Sequence, residues 1–107
     1  MIKLIDINTA QRVAEVRQSV EAIRKAVSSG RTSTAEVLLR STMEGLGNTL
    51  AFDTELCGTH TAVVNALVNG VATNYARCKF EDLAGAFTTV MTTILNDIDE
   101  ALNEREA

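Results

Sequence analysis

The sequence predicts an all-α fold: an elongated antiparallel helical hairpin, with a three- or four-helix bundle as the alternative. Three observations predict it. Val13, Val16, Val20, Ile23 and Val27 repeat in the 3-4-3-4 spacing of a coiled-coil seam, and Phe80, Leu83, Phe87, Val90 and Ile94 repeat it near the other end. Proline is absent from all 107 residues, so nothing removes a backbone donor or clashes with a preceding turn. Gly45-Leu46-Gly47-Asn48 divides the chain near its middle, because two glycines and an asparagine supply left-handed backbone cheaply. The result is a single helical domain over residues 1–107, with arms at about 8–44 and 54–103 and a turn at about 45–53.

The first helix is expected to start after Asn8 or Thr9, either of which serves as an N-cap. Val13, Val20 and Val27 take heptad position a, Val16 and Ile23 take d, and Arg17 and Arg24 take e. Glu21 and Lys25 are spaced as an i,i+4 ion pair on the outer face. Ala10, Ala14, Ala22 and Ala26 raise helix propensity and keep the flanks narrow. Ser28-Ser29-Gly30 weakens the helix where the next d residue would fall. Ser33-Thr34-Ala35-Glu36 reads as a capping box with Ser33 as N-cap. The segment after it, with Leu38, Leu39, Met43 and Leu46 at helical spacing, either continues the first helix through a kink or forms a separate short one.

Asp53 or Thr54 is expected to cap the second arm. There Leu56, Val63, Val64, Leu67, Val71, Tyr75 and Cys78 make a broad apolar face that the run from Phe80 to Ile94 continues, followed by Ile98, Ala101 and Leu102. A break near Arg77 to Phe80 is the competing reading and leads to the bundle. Gly70 and Gly85, inside apolar helix, suggest points where another backbone comes close.

Hydrophobic residues make up 46% and charged residues 22%, which excludes a disordered chain. The formal charge of -4 and the scattered basic residues argue against nucleic acid, which needs clustered Lys and Arg to displace counterions. No stretch approaches the ~18 apolar residues of a membrane span. The N-terminus lacks the apolar core and small-residue cleavage site of a signal peptide. The chain is therefore expected in the cytoplasm, with any export following a route without a cleaved signal.

Chemistry-bearing constellations are sparse. Cys57 and His60, three apart, share a helix face, and Cys78 adds a third soft donor. A structural zinc site takes four donors, usually in paired clusters. The cysteines read as free thiols at small apolar positions; on one straight helix they would lie roughly 30 Å apart, too far for a disulfide. Asp97, Asp99, Glu100 and Glu104 read as a solvated acidic face, since di-iron bundles use Glu-x-x-His and position 57 is Cys. Neither an orienting third residue nor an oxyanion hole accompanies Cys57 and His60. No enzyme activity, metal or cofactor is expected.

Over nearly its whole length the chain resembles the small helical partner proteins of LXG-domain toxins in type VII secretion, distant relatives of the WXG-type proteins. Ile7-Asn8-Thr9-Ala10-Gln11 leading into Val13-Ala14 is similar to their start, Gly47-Asn48 to their turn, and Leu83-Ala84-Gly85-Ala86-Phe87 to their last helix. Two features depart from the pattern. Gly45-Leu46-Gly47 stands where Trp-x-Gly would be, and Phe87 is followed four residues on by Met91 instead of the Asp of a Phe-x-x-x-Asp motif. The resemblance implies a targeting or chaperone subunit that pairs its helices with the N-terminal helical domain of a toxin. The export role of that motif does not carry over to Phe87.

The expected partner is thus a helical protein (a toxin or secretion substrate) or a second copy, in a hetero- or homo-oligomer. A self-associating helical bundle with a structural or regulatory role is the alternative function. The residues expected to meet the partner are Val13, Val16, Val20, Ile23, Val27, Leu67, Val71, Tyr75, Phe80, Leu83, Phe87, Val90 and Ile94. A two-helix hairpin buries one side of each arm and leaves the other apolar side exposed.

Overall fold

The computed structural model describes residues 4–50 and 54–106, with side chains at 7–46, 60 and 62–104. Four helices follow one another: α1 (Leu4–Ser28), α2 (Thr32–Leu50), α3 (Thr54–Asn74) and α4 (Phe80–Glu106). The all-α class holds, and the helix count is that of the four-helix alternative.

Gly30 makes the first division. It adopts φ +73°, where a side chain is strained. Its N–H donates to the Val27 carbonyl at 3.1 Å, and the Arg31 N–H donates to the Ala26 carbonyl at 2.8 Å. These two bonds are a Schellman closure, with glycine at the left-handed position after the last turn. The chain therefore reverses within residues 29–31, so the expected arm at 8–44 is itself a pair of antiparallel helices. Its second member starts before the expected capping box. The Ala35 N–H already reaches the Arg31 carbonyl at 2.9 Å, which places Ser33 inside the first turn. At the other end α1 begins at Leu4, ahead of Asn8 and Thr9, and Thr9 is 3% exposed within the helix. Burial has outweighed the capping chemistry of that threonine.

The expected turn at 45–53 is helical as far as Leu50. Two glycines in a helix cost about 1 kcal/mol each. Leu39 and Leu46, seven residues apart on one face, are both buried to 1% exposure or less, and fully burying each leucine contributes about 2 kcal/mol. Packing overrides propensity there. Residues 51–53, including the cap candidate Asp53, lie outside the described residues.

The break near Arg77 to Phe80 is present. The Arg77 and Cys78 N–H groups both reach back to the Asn74 carbonyl at 3.0 Å, and α4 restarts at Phe80. Glu81 and Asp82 occupy its first turn, where the helix dipole favours negative charge. Across the turn the rings of Tyr75 and Phe80 meet edge-to-face at 6.3 Å, and the Arg40 guanidinium lies 5.2 Å from the centre of the Tyr75 ring.

Successive helices are neighbours, and α4 returns to lie beside α1, closing an up-down-up-down ring. Helices α2 and α4 touch along the short diagonal, whereas α1 and α3 do not meet among the described residues. The molecule measures 46 × 25 × 18 Å, and the smallest dimension is that of two helix layers. Between the layers one core joins Val13, Val16, Val20 and Ile23 of α1 to Leu39 and Leu46 of α2, Val64 and Val71 of α3, and Phe87, Met91, Leu95 and Ile98 of α4. Gly70 and Gly85 are not close-approach points. A Cβ at either would meet nothing within 4 Å.

Candidate interaction surface

The seam residues expected from the sequence to be partner contacts face their own chain. Val13, Val16, Val20, Ile23, Val71, Leu83, Phe87 and Ile94 are buried, Ile23 and Phe87 completely. Val27, Leu67, Tyr75, Phe80 and Val90 are partly buried against the same core. The reason is the fold at Gly30. A two-helix hairpin would leave one side of each arm bare, but α2 and α4 cover α1 from two directions. In this folded form a partner would have to use other surface.

Arg17 and Arg24, the two e-position arginines, tie α1 to α4. Arg17 ion-pairs with Asp99 and donates to Asn96 Oδ1 at 3.1 Å. Arg24 donates to Thr92 Oγ1 at 3.1 Å and to the Thr88 carbonyl at 3.4 Å. Its other arm takes Glu21 at 2.8 Å, so Glu21 pairs three residues on, in place of the expected i,i+4 partner Lys25. Arg24 is therefore the hub of a small bridge, with Glu21 on its own helix and Thr88 and Thr92 across the interface. Asp99, expected on a solvated acidic face, is instead met by an arginine of the same chain. Both pairs are half-exposed, so they fix register more than they add stability.

Among the described residues two exposed faces stand out. One is a groove of about 590 Å³ on the outer side of α1, with Ala10, Val13, Ala14 and Ala22 as floor. Arg17, Gln18, Glu21 and Lys25 line it from α1, and Asp99 closes it from α4. From Ala10 to Lys25 it runs along sixteen residues, roughly 22 Å at the helical rise. Three of the alanines that read in the sequence as helix formers, Ala10, Ala14 and Ala22, are here the bottom of a channel, whereas Ala26 is buried.

The second face is the outer side of α3. No Lys, Arg, Asp or Glu occurs from residue 56 to 76. Ala62, Val63, Ala66, Asn69 and Gly70 are exposed there. Large exposed apolar side chains are otherwise isolated: Ile7, Val37 and Val63 sit on three different helices.

His60 is half-buried on α3, and Cys78 is a free, exposed thiol in the turn before α4. The Cys57 side chain lies outside the described ones. No group of three or more His, Cys, Asp or Glu able to hold a metal occurs among the described residues. No helix among them is long and apolar enough to cross a membrane. Met91 and Leu95, absent from the sequence-derived seam, are fully buried and central to the core. Their signal was the i+4 and i+8 continuation from Phe87.

Comparison with protein-family models, with curated proteins and with solved structures finds no match to this chain.

Proposed function

We propose that this chain is a helical interaction module: a targeting or chaperone subunit that binds the N-terminal helical domain of a type VII secretion toxin. The observation that carries the reading is the groove along α1. It is long, shallow and floored by alanine, and its dimensions suit another helix better than a compact small molecule. The sequence resemblance to partners of LXG-domain toxins supplies the class of protein that would fill it. The partner contacts assigned to the seam are moved by this reading to the outer face of α1, because the seam is enclosed.

Co-expression with the N-terminal helical domain of an LXG-type toxin from the same genome tests the proposal. The expected result is an equimolar complex that survives size-exclusion chromatography with light scattering. A chain that elutes alone, as a monomer or as a closed symmetric oligomer, would overturn it, and the oligomer would favour the self-associating bundle.

A further inference from the structure

We infer that the α1 groove receives a single amphipathic helix that places a carboxylate against Lys25; this rests on the partner-binding reading above. Ala10, Ala14 and Ala22 lie along one side of α1 at multiples of four residues. Where these alanines form the floor, beside the buried Val13, a second helix can approach at the short end of the usual 8–10 Å axis spacing. The sixteen residues from Ala10 to Lys25 give it about four turns to follow.

The charge at the rim decides the partner's chemistry. Arg17 is already neutralised by Asp99, and Glu21 by Arg24. Among the described residues the Lys25 amine meets no counter-charge. The groove therefore offers one uncompensated cation and no free carboxylate. The chain as a whole carries -4 and favours a basic partner at long range, so local and global charge ask for opposite partners. At contact distance the local cation, on the exposed Lys25, outweighs charges screened beyond about 8–10 Å.

Two synthetic helices of about 20 residues provide the test, long enough to hold helical structure. They share one leucine seam and differ only in flanks, Glu in one and Lys in the other. Binding to the full chain is read by fluorescence anisotropy. The Glu helix is expected to bind more tightly, and Lys25→Glu to reverse the order by about threefold or more, as rim charges do. Ala14→Arg, at an exposed position and with helix propensity nearly kept, is expected to weaken both by about tenfold or more. Circular dichroism of each variant reports that the fold is intact. Failure of both helices to bind, equal binding, preference for the Lys helix, or an Ala14→Arg variant that binds normally overturns the inference. The toxin domain separates the two claims. If it co-purifies undiminished with Ala14→Arg, the partner reading stands and the groove assignment falls. If the wild-type chain ignores it yet binds the Glu helix as described, the groove chemistry stands and the toxin reading falls.

Discussion

Helices α1 and α3 lie on opposite corners of the same bundle and are held there very differently. Over its 25 residues α1 buries Thr9, Val13, Val16, Val20, Ile23 and Ala26, and reaches α4 with two arginines. Over its 21 residues α3 buries Val64 and Val71 among the described side chains, with Leu67 and Val68 half-covered. No described α3 side chain hydrogen-bonds or ion-pairs with another helix; Asn74 bonds within its own helix to the Gly70 carbonyl. Yet α3 has the longer uncharged run. Among the described side chains, α1 combines a buried seam with polar ties to α4, and α3 relies on apolar contacts alone. A narrow seam with polar flanks commits α1 to one orientation. The described part of α3 has apolar and small residues on its outer side as well, at Ala62, Val63 and Ala66, and should be held less firmly.

The largest expected effect would test that contrast in the core. Phe87→Ala on α4 should lose about 3–5 kcal/mol, from burial and the cavity left behind. Val64→Ala on α3 should lose about 2 kcal/mol, since fewer methyl groups are removed. Urea unfolding of both variants measures the difference, and equal losses would dissolve the comparison. Native-state hydrogen exchange should next show α3 amides opening about 1–2 kcal/mol more easily than those of α1 and α4. Uniform protection across all four helices would instead mean that α3 is anchored as firmly as the rest.

Glycines sharpen the comparison at a smaller scale and with opposite signs. Gly30→Ala, at φ +73°, should destabilise by about 1–2 kcal/mol and loosen the α1–α2 reversal. Gly85→Ala, in ordinary helix with open space around its Cβ position, should stabilise by up to about 1 kcal/mol. Thermal melting of the two variants should move in opposite directions. The smallest change is expected from Arg17→Ala. Its pair with Asp99 is half-exposed, so the loss should be about 0.5–1 kcal/mol and should shrink as salt is added. A salt-independent loss would point to packing of the arginine stem instead of its charge.

Much of the fold was legible because helical periodicity is local. The seams at 13–27 and 80–94 sit on the core faces of α1 and α4, and the competing break near residues 77–80 is where the α3–α4 turn lies. The division at Gly30 was visible as a weakness, but its depth was not. A glycine after Ser28-Ser29 can kink a helix or reverse it, and local chemistry is the same for both. The Gly45-Leu46-Gly47-Asn48 stretch misled for the converse reason. Its glycines do favour a turn, but Leu46 is needed in the core one heptad after Leu39, and burial holds the helix together. The candidate surface was the least legible part. Ala10, Ala14 and Ala22 were read as helix formers, and nothing local distinguishes an alanine under a neighbour from one left at the bottom of a groove.

The residue pattern alone therefore established the all-α class and the core faces of α1 and α4. Those properties depend on neighbours within one or two turns. Tertiary structure decided which seams were satisfied within the chain and which surface stayed open. Val13 to Val27 could have met a partner, but the reversal at Gly30 brings α2 over them and Arg17 and Arg24 draw α4 alongside. That outcome depends on residues up to 82 apart in the chain, as Arg17 and Asp99 are, and such distances leave no mark in a local repeat.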